Sequence, residues 1–232
     1  MKLRDIKLKA KADMKNGYGF AILTMILLNL VVFGSLTLGL VIGALLTAGA
    51  VHCCYVAYFT DVANHERKGV DSTYRGFRQF MRALVATLIR FAIIWIPIVI
   101  LMIIDAALCA PLLADGFQSD ASLAFVFTLV FAIVCILYYL IMNAKMYFTY
   151  YVMNDEVDLS GWDCIRRSME MAKGRIWKLI GFELSFLGWW ILCIITLGAL
   201  TLYVTPYYYT SQANLYLSLK APAPAAAEGA AE

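Results

Sequence analysis

The chain has 232 residues, 62% apolar and 15% charged, with a net charge of +3 and a mean hydropathy of +0.76. Soluble domains carry about a quarter charged residues, so this composition excludes an ordinary soluble domain. The apolar residues are gathered into uncharged runs of membrane-crossing length, and the class they imply is an all-α polytopic membrane protein.

The first sixteen residues hold Lys2, Arg4, Lys7, Lys9, Lys11 and Lys15, the bases expected of a cytoplasmic flank. Because membrane-length apolar sequence begins directly at Gly17, the anion they suit is phospholipid and not nucleic acid. The basic start mimics a secretory signal, and Ala48-Gly49-Ala50 resembles a cleavage site, but the apolar run is far too long for one. Residues 17–60 contain no Lys, Arg, Asp or Glu, and as one straight helix would extend about 66 Å, twice the hydrocarbon thickness. A helical hairpin follows, with a break expected at Gly34-Ser35 and spans at about 17–34 and 36–60.

Residues 61–82 form a polar connection in which Tyr74, Phe77, Phe80 and Leu84 recur at helical spacing after Asp71-Ser72. A third span is expected at 83–112, interrupted by Arg90 and Asp105 and carrying Pro97, and a fourth at 121–150. In the next connection Ser160 and Asp163 resemble a capping box, after which Trp162, Ile165 and Met169 share one helix face. Both amphipathic segments are expected to lie on the inner leaflet, with Tyr74, Phe77, Phe80, Trp162, Ile165 and Met169 in lipid contact. Spans at 176–197 and 200–219 complete a six-helix domain over 17–219, followed by a disordered Ala/Pro tail at 220–232. The weak parallel between Arg82 leading to Trp95 and Arg175 leading to Trp189 suggests an internal repeat.

With the N-terminus inside, 18 of the 19 Lys and Arg fall in inner segments, and Arg90 within a span is the remainder. The positive-inside rule then places both termini in the cytoplasm. Six cysteines (Cys53, Cys54, Cys109, Cys135, Cys164 and Cys193) lack C-x-x-C spacing, and they read as small packing residues without a disulfide framework or zinc site.

Several stretches resemble a known family. Arg167-Ser168-Met169 with Lys173-Gly174, then Phe182-Glu183-Leu184-Ser185-Phe186-Leu187-Gly188-Trp189-Trp190, Thr196-Leu197-Gly198, Val204-Thr205-Pro206-Tyr207 and Ala213-Asn214-Leu215-Tyr216 resemble the bacterial integral-membrane family labelled domain of unknown function nine-seven-five. Asn16-Gly17-Tyr18-Gly19 and Tyr74-Arg75-Gly76-Phe77 extend the likeness over nearly the whole chain. The resemblance implies a six-helix bundle of the bacterial cytoplasmic membrane and carries across no catalytic residue.

No P-loop, H-E-x-x-H, G-x-S-x-G or dinucleotide glycine pattern occurs, and His52 and His65 are the only histidines, so no enzyme chemistry and no cofactor are expected. Gly39 and Gly43 form a GxxxG read as helix packing within the chain or between copies in a homo-oligomer. The last helix carries Thr205, Tyr208, Tyr209, Gln212 and Tyr216, a polar stripe expected to point into the bundle and to line a cavity or bond neighbouring helices. Arg90 and Glu183 each lie eight residues beyond a boundary arginine, so their depths should match, with His52 at a similar level. An opposite-charge pair is the expected outcome for Arg90 and Glu183, or snorkelling of Arg90 to the interface. Two functions remain open at this point. One is a non-enzymatic membrane-integrity or partner-binding protein; the other is a small-solute or ion transport component.

Overall fold

Backbone amides in hydrocarbon need internal partners, and apolar sequence therefore folds as helix. The computed structural model describes residues 3–15, 17–65, 76–114 and 121–220, with the backbone alone at 32–33, 35–46, 111–114 and 121–122. In chain order the helices are α1 (Leu3–Met14), α2 (Tyr18–Ala63), α3 (Phe80–Ala114), α4 (Ala121–Lys145), α5 (Thr149–Asp155), α6 (Gly161–Ala172), α7 (Ile176–Ile195) and α8 (Thr201–Lys220). Three stretches, Phe80–Ala110, Leu123–Asp155 and Ile176–Ile195, are long and apolar enough to cross a membrane. Their outward faces are apolar, with Met102, Phe125, Ile136 and Ile194 all exposed.

Along a straight helix Asn29 and Tyr55 would stand about 39 Å apart. Instead Asn29 Nδ2 donates to Tyr55 Oη at 2.8 Å, and the rings of Phe20 and Tyr58 lie 6.2 Å apart. The 46 residues of α2 therefore double back as two antiparallel arms. Those two contacts centre the pairing between residues 39 and 42, beyond the Gly34-Ser35 break expected from sequence, and helical backbone runs through both Gly34 and Ser35. A single glycine costs a helix only about 1 kcal/mol, too little to end one whose flanks are apolar. The packing of Gly39 and Gly43 lies outside the described residues.

Helices α3 and α4 are antiparallel, held at successive depths by Cys109 with Thr128, Tyr138 with Ile93 and Arg90 with Asn143. The middle contact has a specific cause. Pro97 has no N–H to donate to the carbonyl four residues earlier, that of Ile93. Tyr138 Oη donates to that oxygen at 2.6 Å and satisfies it from the neighbouring helix. Tyr138→Phe should lower stability by about 1–3 kcal/mol, read as a drop in melting temperature in detergent; an unchanged value would mean the carbonyl finds another donor.

Helices α7 and α8 form a second antiparallel pair, joined by a Schellman turn in which Gly198 N donates to Cys193 O at 2.8 Å and Leu197 N to Ile194 O at 3.1 Å. Leu197 occupies the left-handed position with φ 50° and is 97% exposed, whereas glycine usually sits there. Leu197→Gly should raise stability by up to about 1 kcal/mol, measurable as a higher melting temperature.

Antiparallel packing brings the starts of α3 and α7 and the ends of α2, α4 and α8 to one end of the molecule. Exposed bases collect there, among them Arg78, Arg166, Arg167, Lys173, Arg175 and Lys220, and we call it the basic end. Helices α5 and α6 pack at that end, and α1 reaches from it along the middle of α7 and α8. In α1, Ile6, Ala10 and Met14 fall at four-residue spacing and are buried, while Arg4, Lys9, Lys11 and Lys15 are exposed. Asn214 Nδ2 donates to Asp13 Oδ2 at 2.8 Å and Lys7 Nζ to Ser185 O at 2.9 Å, so the N-terminal segment is docked on α7 and α8. Burial over the Phe186 ring, 4.0 Å from Lys7 Nζ, lowers the Lys7 pKa below the ordinary lysine value.

Helix α6 begins as its sequence suggests, with Ser160 Oγ accepting from Asp163 N at 3.2 Å. Its apolar face turns to protein and not to lipid. Ile165 is wholly buried with Cys164 and Ala172, Met169 is half-buried against the same core, and Trp162 remains half-exposed. The assignment of Ile165 and Met169 to lipid is thereby corrected: the face packs on α5 and α3, where Gly161 lets the backbones approach, its position 3.0 Å from Arg82 O for an added Cβ. Phe80 opens the long helix α3 and not a separate interfacial helix, and Phe77 packs against the cluster around Met14 and Tyr55. Tyr74 lies outside the described residues.

Candidate functional site

Helical spacing turns particular side chains toward the centre of the bundle. Tyr139, Asn143 and Tyr147 fall at four-residue intervals along α4 and the turn after it; Leu179 and Glu183 do so on α7, and Tyr208 and Gln212 on α8. With His52 from the second arm of α2 and Arg90 from α3, they line a cavity of about 310 Å³. The three intramembrane ionisable residues singled out in the sequence, His52, Arg90 and Glu183, thus border one space.

They do not pair directly. Among the described residues no ion pair within 4.0 Å joins Arg90 to Glu183. Arg90 Nη2 donates to Asn143 Oδ1 at 3.4 Å, and its guanidinium carbon lies 5.2 Å from the centre of the Tyr150 ring. Glu183 Oε1 accepts from Tyr208 Oη at 2.5 Å, and the Tyr147 hydroxyl is 3.4 Å from that of Tyr208. An intervening space, and not a clamp, separates the two charges, which differs from the pairing expected on depth alone.

The wall behind them is aromatic. Tyr150 supports both Arg90 and His52, its ring 4.7 Å from the imidazole, and its hydroxyl is fixed 2.7 Å from Thr87 Oγ1. Tyr209 stacks nearly parallel on Tyr55 and Phe59 and brings its hydroxyl to 3.4 Å from His52 Nδ1. Of the polar stripe on α8, only Tyr208 and Gln212 line the cavity. Tyr209 lies behind His52, Tyr216 donates to Asp155 nearer the basic end, and Thr205 is half-buried. The stripe is divided because a 20-residue helix turned by 100° per residue meets several neighbours in turn.

One buried polar atom of a lining residue has no partner. Gln212 is 4% exposed, and its Oε1 accepts no hydrogen bond. Buried polar groups are ordinarily paired; this oxygen is enclosed by protein atoms and does not open onto the cavity, as with the Tyr151 hydroxyl and Asn214 Oδ1.

Asn143 and Tyr147 escaped the sequence reading, although an asparagine within an apolar run was a legible signal. A second cavity, also about 310 Å³, lies farther along α3 and α4 and is lined by Asp105, Thr128 and Cys135 among apolar neighbours. Among the described residues no cluster of three His, Cys, Asp or Glu comes together.

Comparison with known families places this architecture. The family model described as "Protein of unknown function (DUF975)" matches residues 1–223. The chain belongs to that family. Neither the curated proteins nor the solved structures contain a match to it. For a DUF975 member, then, the cavity is the feature on which a functional reading rests.

Proposed function

We infer that the chain is a non-enzymatic binding protein of the bacterial cytoplasmic membrane, with six spans and both termini inside, that holds a small polar group in the cavity around Arg90 and Glu183. The observation that carries this reading is the convergence of Arg90, Glu183, His52 and Gln212 on one space of about 310 Å³, at the lower edge of the range typical of ligand sites. Charged side chains within a bundle are costly to insert and mark sites by default. The exposed bases of α1 suit the anionic phospholipids of the inner leaflet, and the apolar outer faces suit further helices, including those of a second copy.

A transport component is the second reading, favoured by the cavity at Asp105 and Thr128 farther along the same helix pair. The two cavities share no lining residue.

Small molecules and lipids retained through purification provide the test. A species enriched over bulk membrane should copurify with the wild-type protein and be lost from Arg90→Gln at unchanged fold. Identical spectra for the two proteins would contradict a ligand site at this cavity.

A further inference from the structure

Resting on the reading of the cavity as a ligand site, we propose that its occupant is a small zwitterion carrying a primary ammonium and an anionic phosphate or carboxylate. The inference comes from what each lining group lacks. A guanidinium has five N–H donors, and Arg90 uses one on a neutral amide at the long limit of 3.4 Å. A carboxylate accepts about four hydrogen bonds, and among the described residues Glu183 accepts one, from Tyr208, with the Tyr147 phenol next to it. The cavity therefore offers surplus donors at Arg90, on α3, and surplus acceptor capacity at Glu183, on α7.

A lone anion at Arg90 would meet the Glu183 carboxylate, and a lone cation at Glu183 would meet the guanidinium. A zwitterion of matching polarity satisfies both, leaving no net charge added to the bundle. Its ammonium must carry hydrogens, because Glu183 is an acceptor; a quaternary ammonium has none to give. The volume of about 310 Å³ suits a headgroup or an amino-acid-sized solute and leaves no room for acyl chains. Tyr139, on the lining, is 42% exposed, so this wall reaches the lipid-facing side of α4, where the chains of a bound lipid would remain outside.

The shared chemistry has two sources, a phosphatidylethanolamine headgroup or a free zwitterion, and two arms of one experiment separate them. The whole protein is placed in phosphatidylglycerol nanodiscs doped with either phosphatidylethanolamine or phosphatidylcholine, and retained lipids are counted by native mass spectrometry. Free sn-glycero-3-phosphoethanolamine, a phosphodiester with no net charge, is titrated calorimetrically in undoped discs. Retention of phosphatidylethanolamine over phosphatidylcholine by about tenfold or more assigns the lipid, and binding of glycerophosphoethanolamine without that preference assigns the free solute. In either arm Arg90→Gln and Glu183→Gln should each weaken binding about tenfold, and Arg90→Lys should retain most of it while folding as the wild type does. Equal retention of the two lipids with no binding of the free probe overturns the proposal, as does binding unchanged in both neutralised variants. If a different species copurifies with the wild type and is lost from Arg90→Gln, the ligand site stands and the zwitterion fails; if nothing is lost, both fail.

Discussion

Gly49→Leu should reduce stability by about 3 kcal/mol or more and strip much of the protein from the membrane fraction. A Cβ built on Gly49 falls 2.8 Å from the Ala83 carbonyl oxygen and closer still to Thr87 Oγ1. A backbone carbonyl in the neighbouring helix cannot swing aside as a side chain can. Displacing Thr87 also breaks its 2.7 Å contact with Tyr150, and Tyr150 is the ring that supports Arg90 and His52. Gly49→Ala should therefore cost measurable stability as well, although less. Melting temperatures in detergent order the series; a leucine variant that melts with the wild type would mean that the second arm of α2 and α3 do not approach as described.

The second large effect concerns the charged hydrogen bond at the cavity. Tyr208→Phe removes the 2.5 Å donor to Glu183 and leaves a carboxylate inside the bundle with less support, so a loss of about 2–3 kcal/mol is expected. Glu183→Gln in the same background should recover part of it, because the neutral amide needs less compensation. Full additivity in the double-mutant cycle would show that the two side chains do not interact.

How far the sequence carried this picture depends on which force placed each residue. Depth was legible: eight residues past a boundary arginine is the same rise for Arg90 and Glu183, and both border one cavity. Contact was not legible, since helix rotation and neutral partners such as Asn143 and Tyr208 decide whether charges touch, and neither is encoded in hydropathy. The reversal within α2 followed from length, but its position did not, because a glycine pair inside an apolar run is tolerated by helix. Ile165 was placed in lipid because an amphipathic period looks alike whether its apolar face meets hydrocarbon or a protein core. Close packing at Gly49 went unnoticed beside the more familiar spacing of Gly39 and Gly43. The pairing of Tyr138 with the carbonyl freed by Pro97 required knowing which helix lay opposite. Trp177, 81% exposed at the start of α7, was not singled out, although its place between Arg175 and Lys178 is that of an interface anchor.

Sidedness of the cavity tests the account most directly. Asn143→Cys places a thiol in the lining, and five of the six native cysteines are buried, so the wild-type background from Cys135 is readily subtracted. In sealed vesicles of both orientations, a charged, membrane-impermeant thiol reagent should modify the new cysteine only when the basic end faces the reagent, and Arg90→Gln should leave that sidedness unchanged. Modification from the opposite side, or equally from both, would contradict the placement of Asn143 beside the end of α4 that lies at the basic end, and would favour the transport reading.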